Sequence, residues 1–535
     1  MVLKRLAAFA LWSAVHLDAF RLEPHNYVIA TKWWILGKRV RARGQFAPLL
    51  SQSPKAYEFW ALLEEREPRA VSSKVSDILL ALVVGCDDQA KLGATLSSLA
   101  AAEIRAHVVS GDPENQIGGA HSDTLRQQPL WIMLIEAGDL VAPNAGVQYN
   151  DRINAAASSS SVIFADDDKQ DRWGHRKDPH FKPGWNSELF RHHDYLTGSC
   201  IVRVDQAMLT EAAKQPNWGS WLVNEAIRRG SVAHIPAVLH HRASRQPAPR
   251  EVQSLTIADT LPSVSVIIPT RNRADLLRTC IAGLQTTNYP NLEIIIADND
   301  SDDPETLAYL ATLAQQGITI LPQPGPFNYS TINNNAVAIA QGEFICLMNN
   351  DIEILKPDWL AIMVTQAMRP EVGAVGAQLL YPDGRIQHAG VVIGVGNAAD
   401  HAHRFLRPED EGYFRRHALP QYVSAVTAAC LVVRKDKFLA VGGLDDKNFA
   451  VAFNDVDLCL KLNQQGWQSF YEPRAVLVHH ESISRGHDKD PIGAARFAKE
   501  LEALQRIWRT DEIIDPYHHP NLSRASEQFA ISLTL

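Results

Sequence analysis

The chain has only six cysteines (Cys86, Cys200, Cys280, Cys346, Cys430 and Cys459), and none forms a CxxC pair. Their wide spacing, several within apolar runs, is that of buried thiols in a reducing cytoplasm, not of a disulfide framework. An excess of basic charge is also missing. The net charge is -8 with 21% charged residues, both signs interspersed, which excludes nucleic-acid binding through a basic face and leaves any phosphate to be handled locally. No apolar run is long enough to cross a bilayer at the amino terminus, where His16 and Asp18 interrupt MVLKRLAAFALWSAVHLDAF. A dinucleotide fingerprint is lacking too. The GxGxxA spacing at Gly394, Gly396 and Ala399 runs into His401, His403 and Arg404 and not into an amphipathic helix. At 535 residues the chain exceeds what one core usually supports, so two or more domains are expected.

What is present is an alternation of short apolar runs with helical patterns. Phe344 to Met348 reads as a buried strand that breaks into Asn349, Asn350 and Asp351. Val264 to Ile268 opens in the same way onto Pro269, Thr270, Arg271 and Asn272, and Leu292 to Ala297 onto Asp298, Asn299 and Asp300. Between them, Leu276, Leu277, Cys280, Ile281 and Leu284 give one helical face, and Leu307, Leu310, Ala311 and Ala314 another. Strand and helix in alternation imply an α/β fold with a mainly parallel sheet, whose ligands bind at the carboxyl ends of the strands. Three polar clusters are therefore expected at one edge.

The pattern occurs twice. Ala81 to Leu99 matches Ser265 to Leu284, the segment from Trp131 matches FICLMNNDIEILKPDW, and His234 to Arg242 matches Tyr471 to Glu481. Three correspondences in one order suggest duplication of a whole domain. The expected organisation is a helical segment at 1–75, a first α/β domain at 76–244, a proline-containing linker at 245–262, a second α/β domain at 263–510 and a tail at 511–535 that reads as a surface wrap. The first copy has Glu136, Ala137, Gly138 and Asp139 where the second has its amide and carboxylate cluster, and its Asn217 to Ile227 segment has no acidic pair matching Asp455 and Asp457. It also carries an acidic run, ADDDK, at Ala165 to Lys169.

Several side chains in the second copy have chemistry to offer. A carboxylate at Asp298 can accept hydrogen bonds from a base or ribose, and one at Asp351 can hold a hard divalent cation against a diphosphate, although turn chemistry alone accounts for either. Asp455 and Asp457 fall in the first turn of a helix over Phe453 to Trp467 with Asn454 near its N-cap and Gly466 as its stop. A favourable helix dipole explains both, and a general base explains Asp455, with Asp445 to Asn448 read as a segment able to open a cleft. His479 and His480 close a strand ahead of Ser484 and Arg485. A histidine there can complete a metal site, Ser and Arg can contact phosphate, and a structural role is the alternative.

The long segments SVIIPTRNR, IIIADNDS, GPFNYSTINNNAVAIAQGEFICLMNND, SAVTAACLVVRK, GGLDDKNFAVAFNDVDLCLKL, HHESISRG and DPYHHPNLS, in that order, resemble a family 2 glycosyltransferase of the GT-A fold. The first copy, through ADDDK, FKPGW and HIPAVLHHR, resembles the amino-terminal domain of tandem bacterial proteins of O-antigen biosynthesis or rhamnosyltransferase-like type. The resemblance implies two tandem GT-A-like domains, the first degenerate. It also implies an inverting transfer of a sugar from a nucleotide-sugar donor to a growing, lipid-linked cell-surface glycan. By the same resemblance Pro269, Thr270, Arg271, Asp298, Asn299, Asn350, Ser484 and Arg485 would bind the nucleotide sugar, and Asp351 with His480 or His479 would hold Mg²⁺ or Mn²⁺. Asp455 would deprotonate the acceptor. A catalytically inactive nucleotide-sugar-binding scaffold and a bifunctional enzyme with both copies active are the competing readings. The expected location is the cytoplasm, with peripheral membrane contact through the amino-terminal arm, where Lys32, Trp33, Trp34, Lys38, Arg39, Arg41 and Arg43 cluster.

Overall fold

The computed structural model describes residues 2–64, 78–85, 87–109, 130–155, 159–171, 173–480 and 491–533. Among the described residues, four helices, Val2–Leu22, Pro24–Ile35, Arg39–Ser51 and Ala56–Glu64, precede the first strand. Two large sheets follow. The first has strands in the order Arg105–Val108, Leu79–Val84, Leu130–Glu136, Cys200–Val204, Ser160–Gln170, Ser231–Arg242, Leu140–Val141. The second begins with an extra edge strand, Thr319–Pro322. It continues Leu292–Asp298, Val264–Thr270, Phe344–Met348, Cys430–Arg434, Val372–Leu380, Gln468–His479, Ile352–Ile354.

Set side by side, the two orders coincide strand for strand. Their pairing directions coincide as well: the first three shared strands are parallel, the fourth is antiparallel to both neighbours, the fifth and sixth are parallel, and the short last strand is antiparallel. The repeat legible in the sequence is therefore a repeat of topology. Each sheet is mixed because a returning strand, Cys200–Val204 or Cys430–Arg434, and the short last strand run against the rest.

Helices cover both faces, which is why the strands read as continuous apolar runs and not as alternating ones. Val264, Val266 and Ile268 pack into one core layer with Leu277, Cys280, Ile281 and Leu284 of the helix Ala274–Gln285. Ile267, Ile345 and Leu347 face the opposite layer, with Ala336 and Val337 of the helix Tyr329–Ile339. The apolar strands end at Thr270, Asp298 and Met348, so their polar continuations emerge at one edge. All five cysteines among the described residues are free and buried, as their apolar surroundings anticipate. The glycine spacing near Gly394 builds a hairpin of Val391–Ile393 against Ala399–His401.

The tail departs from expectation. It is inserted, not wrapped: Asp515, His518 and His519 are buried. Asp515 Oδ2 accepts the Ile393 N–H at 2.8 Å, Pro516 O accepts the Gly184 N–H at 2.8 Å, and Tyr517 O accepts from Arg416 Nη1 at 2.9 Å. Local polarity suggested a surface because the partners that satisfy these groups lie far away in sequence, in both halves of the chain.

Candidate active site

Thr270 is the hub of the strand-end cluster. It stands opposite Asp298 in the parallel register. Its carbonyl accepts the Asn299 N–H at 2.9 Å, and its Oγ1 accepts from Asn350 Nδ2 at 3.0 Å. Three strand ends that the sequence separates by tens of residues thus converge on one threonine. Pro269 and Thr270 are buried, Arg271 is exposed at the rim, and Asp298 is half-buried, its Oδ1 accepting from Ser301 Oγ at 2.5 Å. Asn299 is turned inward, donating to Gln323 O at 2.7 Å and Gly325 O at 3.0 Å, which fixes the loop.

Asp351 is buried and meets His479, whose Nε2 lies 3.1 Å from Asp351 Oδ1. The other ring nitrogen, Nδ1, lies 2.7 Å from Gln387 Oε1, an oxygen that can only accept, so the ring proton sits on Nδ1. Asn349 Nδ2, a donor, stands 3.3 Å from Nε2. Nε2 therefore presents its lone pair toward the carboxylate. Two electron-rich atoms at that distance suit a divalent cation between them, and a histidine whose far N–H is held by an oxygen is the usual form of a metal ligand. His480, the next residue along, projects to the opposite face and pairs with Glu353 Oε2 at 2.8 Å. Ser484 and Arg485 lie outside the described residues.

Asp455 reaches the same edge through the backbone. The Asn349 N–H donates to Ala429 O at 3.0 Å, and the neighbouring Ala428 N–H donates to Asp455 Oδ2 at 3.1 Å. The helix that carries it spans Asn454–Gln464 and is preceded by Phe453 in the left-handed region, φ 62°, with no side-chain cap. The expected Asn454 cap is thus the first helical residue, its Nδ2 bonded back to Val451 O at 2.7 Å. Asp455 is half-buried and Asp457 is buried. Asp457 is occupied structurally, by Trp508 Nε1 at 2.9 Å and Lys461 Nζ at 2.9 Å. The Asp445 to Asn448 segment, read from sequence as able to open, is a pinned turn. Asp445 Oδ1 accepts from the Lys447 and Asn448 N–H groups, and Asn328 Nδ2 donates to Asp446 O at 3.0 Å.

Gln387 and His401 are the residues that sequence reasoning missed. His401 Nδ1 lies 3.0 Å from Gln387 O; burial holds His401 below its ordinary value, and Asp455 is among the charges it feels. The signal available was a polar pair, Gln387 and His388, inside a short strand, Ile386–His388, that is otherwise core.

Elsewhere among the described residues, Asp166, His234 and His519 bring ligand atoms within 4.8 Å of one another. Here His519 Nδ1 accepts the Asn521 N–H at 2.9 Å, which leaves the ring proton on Nε2, the atom 2.7 Å from Asp166 Oδ2. A proton already occupies the place a cation would take. Burial opposes ionisation of Asp166, but His519 and His234 hold its carboxyl well below the usual range. The rest of ADDDK is likewise spoken for. Lys182 and Arg245 pair with Asp167, and Arg176 and His241 with Asp168.

The profile of the family described as Glycosyl transferase family 2 matches residues 265–441. A Campylobacter jejuni protein named GalNAc(5)-diNAcBac-PP-undecaprenol beta-1,3-glucosyltransferase is 34% identical over 46% of this chain and 76% of its own length. The chain belongs to glycosyltransferase family 2. Its two sheets share one topology, and the matched residues lie in the second. The Sinorhizobium fredii protein y4gI is 36% identical over 92% of this chain and 59% of its own length. The Myxococcus xanthus O-antigen biosynthesis protein RfbC is 31% identical over 85% of this chain and 39% of its own. The chain therefore spans about two fifths to three fifths of the length of those two relatives. A mannosyltransferase from Pyrobaculum calidifontis, solved with GDP-Man and Mn²⁺, aligns over 50% of this chain and 71% of its own. At 19% identity and a TM-score of 0.36, that likeness carries no residue's role across.

Proposed function

We propose that residues 263–510 transfer a sugar from a nucleotide-diphosphate donor to a growing, lipid-linked cell-surface glycan, by a single displacement that inverts the anomeric centre. The observation that carries this reading is the two-residue bridge Ala428–Ala429. It ties the half-buried carboxylate of Asp455, through two backbone hydrogen bonds, to the turn that carries Asp351. Asp455 takes the proton of the acceptor hydroxyl as that oxygen attacks. Asp298 and Thr270 receive the nucleoside, and Asn350 is held on Thr270. A divalent cation, Mg²⁺ or Mn²⁺, held by Asp351 and His479 would offset the charge gathering on the departing diphosphate. Gln387 keeps His479 in the tautomer that leaves Nε2 open to it. His480, paired with Glu353, has a structural part.

The name of the Campylobacter jejuni relative favours a polyprenyl-diphosphate-linked acceptor. The amino-terminal arm offers a way to reach one. Its first 50 residues carry eight Lys and Arg against two Asp and Glu, and Leu6, Phe9, Val28, Ile35, Leu36 and Val40 are exposed on it. No helix among the described residues is long and apolar enough to cross a membrane, so the contact proposed is peripheral, at the cytoplasmic face. Against activity in both copies stands the helix Trp218–Arg229, whose first turn has no acidic residue.

Replacing Asp455 by Asn tests the reading. Turnover with a matched donor and acceptor should fall ~100- to 10,000-fold with the melting temperature unchanged. Undiminished transfer would remove Asp455 from the mechanism, whereas donor binding by the wild type with no transfer across a wide acceptor panel would favour a scaffold role.

A further inference from the structure

The first sheet has a cleft at the position where the second has its candidate active site. It measures about 410 Å³ and opens among Glu136 at the end of the third strand, Asp194 and Thr197 ahead of the returning strand, Ser220 in the first turn of its helix, and Arg242 and Arg245. The two copies can be superposed through their registers. Leu140 pairs with His241 as Ile352 pairs with His479, so Asp139 stands where Asp351 stands.

The chemistry at that point differs. Arg242 follows His241, and its Nε lies 2.8 Å from Asp139 Oδ2. Its Nη1 donates to Thr197 O at 3.2 Å. Gly198, with φ +87°, makes room for the guanidinium, because a Cβ there would come 2.5 Å from Nη1. The other oxygen, Asp139 Oδ1, accepts the Ala243 N–H at 2.8 Å. His241 is turned to Asp168 Oδ1 at 2.6 Å. Both oxygens of the carboxylate and the neighbouring histidine are thus engaged, and a fixed guanidinium stands where the second copy can hold a cation.

Charge then decides between ligands. A divalent cation on one carboxylate leaves a net positive charge for a diphosphate; one guanidinium on one carboxylate leaves none. Arg245 and Lys182 share the one charge of Asp167, with Nη2 at 2.6 Å and Nζ at 2.7 Å, which leaves one positive charge against the two negative charges of Glu136 and Asp194. Burial holds His180 and His193 below their ordinary values, hence neutral, while Glu136 and Asp194 remain to repel an anion. Hydroxyl, carboxylate and guanidinium groups in this balance match the alternating donors and acceptors of sugar hydroxyls.

We infer that the cleft of the first copy binds an uncharged saccharide without a divalent cation, and so holds glycan chain beside the transferring copy. Saccharide binding at this cleft needs nothing from Asp455 or Asp351, so it stands or falls separately from the transfer proposed above.

The test uses the full-length Asp351→Ala protein in EDTA, titrated calorimetrically and by saturation-transfer NMR with neutral disaccharides of glucose, N-acetylglucosamine and rhamnose, and with UDP and dTDP. At least one disaccharide should bind, unaffected by added Mn²⁺, and bind tenfold or more weakly when Ser220→Trp or Ser244→Trp fills the cleft. These two positions lie on different elements, one half-buried and one exposed, so a folding failure in one leaves the other to report. Binding of no disaccharide would overturn the inference, as would binding that requires Mn²⁺, tighter binding of UDP or dTDP than of any sugar, or affinity unchanged in the folded variants. Loss of transfer in Asp351→Ala with saccharide binding intact is expected. Transfer by the wild type with no saccharide bound at the cleft would sink this inference and leave the proposed function standing.

Discussion

Asp455 and Asp457 lie two positions apart in the first turn of one helix and meet different environments. Asp455 is half-buried and accepts from a backbone N–H; Asp457 is buried between an indole N–H and an ammonium. Replacing Asp457 by Ala leaves Trp508 Nε1 and Lys461 without their acceptor and should cost about 1–3 kcal/mol of stability, seen as a lowered denaturant midpoint, while turnover changes little. The contrast with Asp455→Asn, which should abolish turnover and spare folding, separates a reacting group from a packing one. The sequence put both residues in the right turn but could not rank them, because Trp508 reaches Asp457 from another helix. His479 and His480 repeat the lesson. Strand alternation sends them to opposite faces, yet only the positions of Gln387 and Glu353 reveal which one faces Asp351.

At the scale of elements, the strands and their polar ends were legible because each is a short, wholly apolar run that stops at turn residues. Phe344–Met348 matches its expected bounds to the residue, and the runs from Val264 and Leu292 extend by only two and one positions. The tail was misread because its partners are tertiary. The amino-terminal helices pose the opposite case, with sizeable apolar side chains left outside. Arg39 stacks 3.9 Å from the Trp34 ring and Arg41 4.6 Å from Trp33, so cations and indoles share one surface. The full-length protein should therefore sediment with vesicles containing phosphatidylglycerol and not with pure phosphatidylcholine. Reversing Arg39 and Arg41 to Glu should weaken that binding by roughly fivefold or more for each cation removed. Equal sedimentation of the reversed protein would count against the arm.

At the scale of the whole molecule, the two sheets are joined by a specific seam. Asn186 Nδ2 donates to Tyr422 O at 2.8 Å while its Oδ1 accepts the Tyr422 N–H at 3.2 Å, and Arg369 Nη2 reaches Glu188 Oε2 at 2.9 Å. Burial works to raise Glu188, but hydrogen bonds from His192 and Arg369 outweigh it and hold the carboxyl at about 2 against a usual 4.5. A depressed carboxyl stabilises the fold above its unfolded value, and that contribution is lost as the pH falls from about 4.5 toward 2. Glu188→Gln should thus be less stable at neutral pH and lose less on acidification across that window, as thermal melts at stepped pH would show. No local pattern announced this seam, since its members are ordinary helix, loop and strand residues in either half. The inserted tail carries a further consequence, for synthesis. Asp166, fully buried in the first sheet, meets His519 only after about 350 further residues have been added, on the order of tens of seconds later at typical elongation rates. Until then the first half is a nascent domain with an open seam. A product stopped short of Pro516 would keep it open, and would offer chaperones and proteases a buried carboxylate and an unfilled seam to act on.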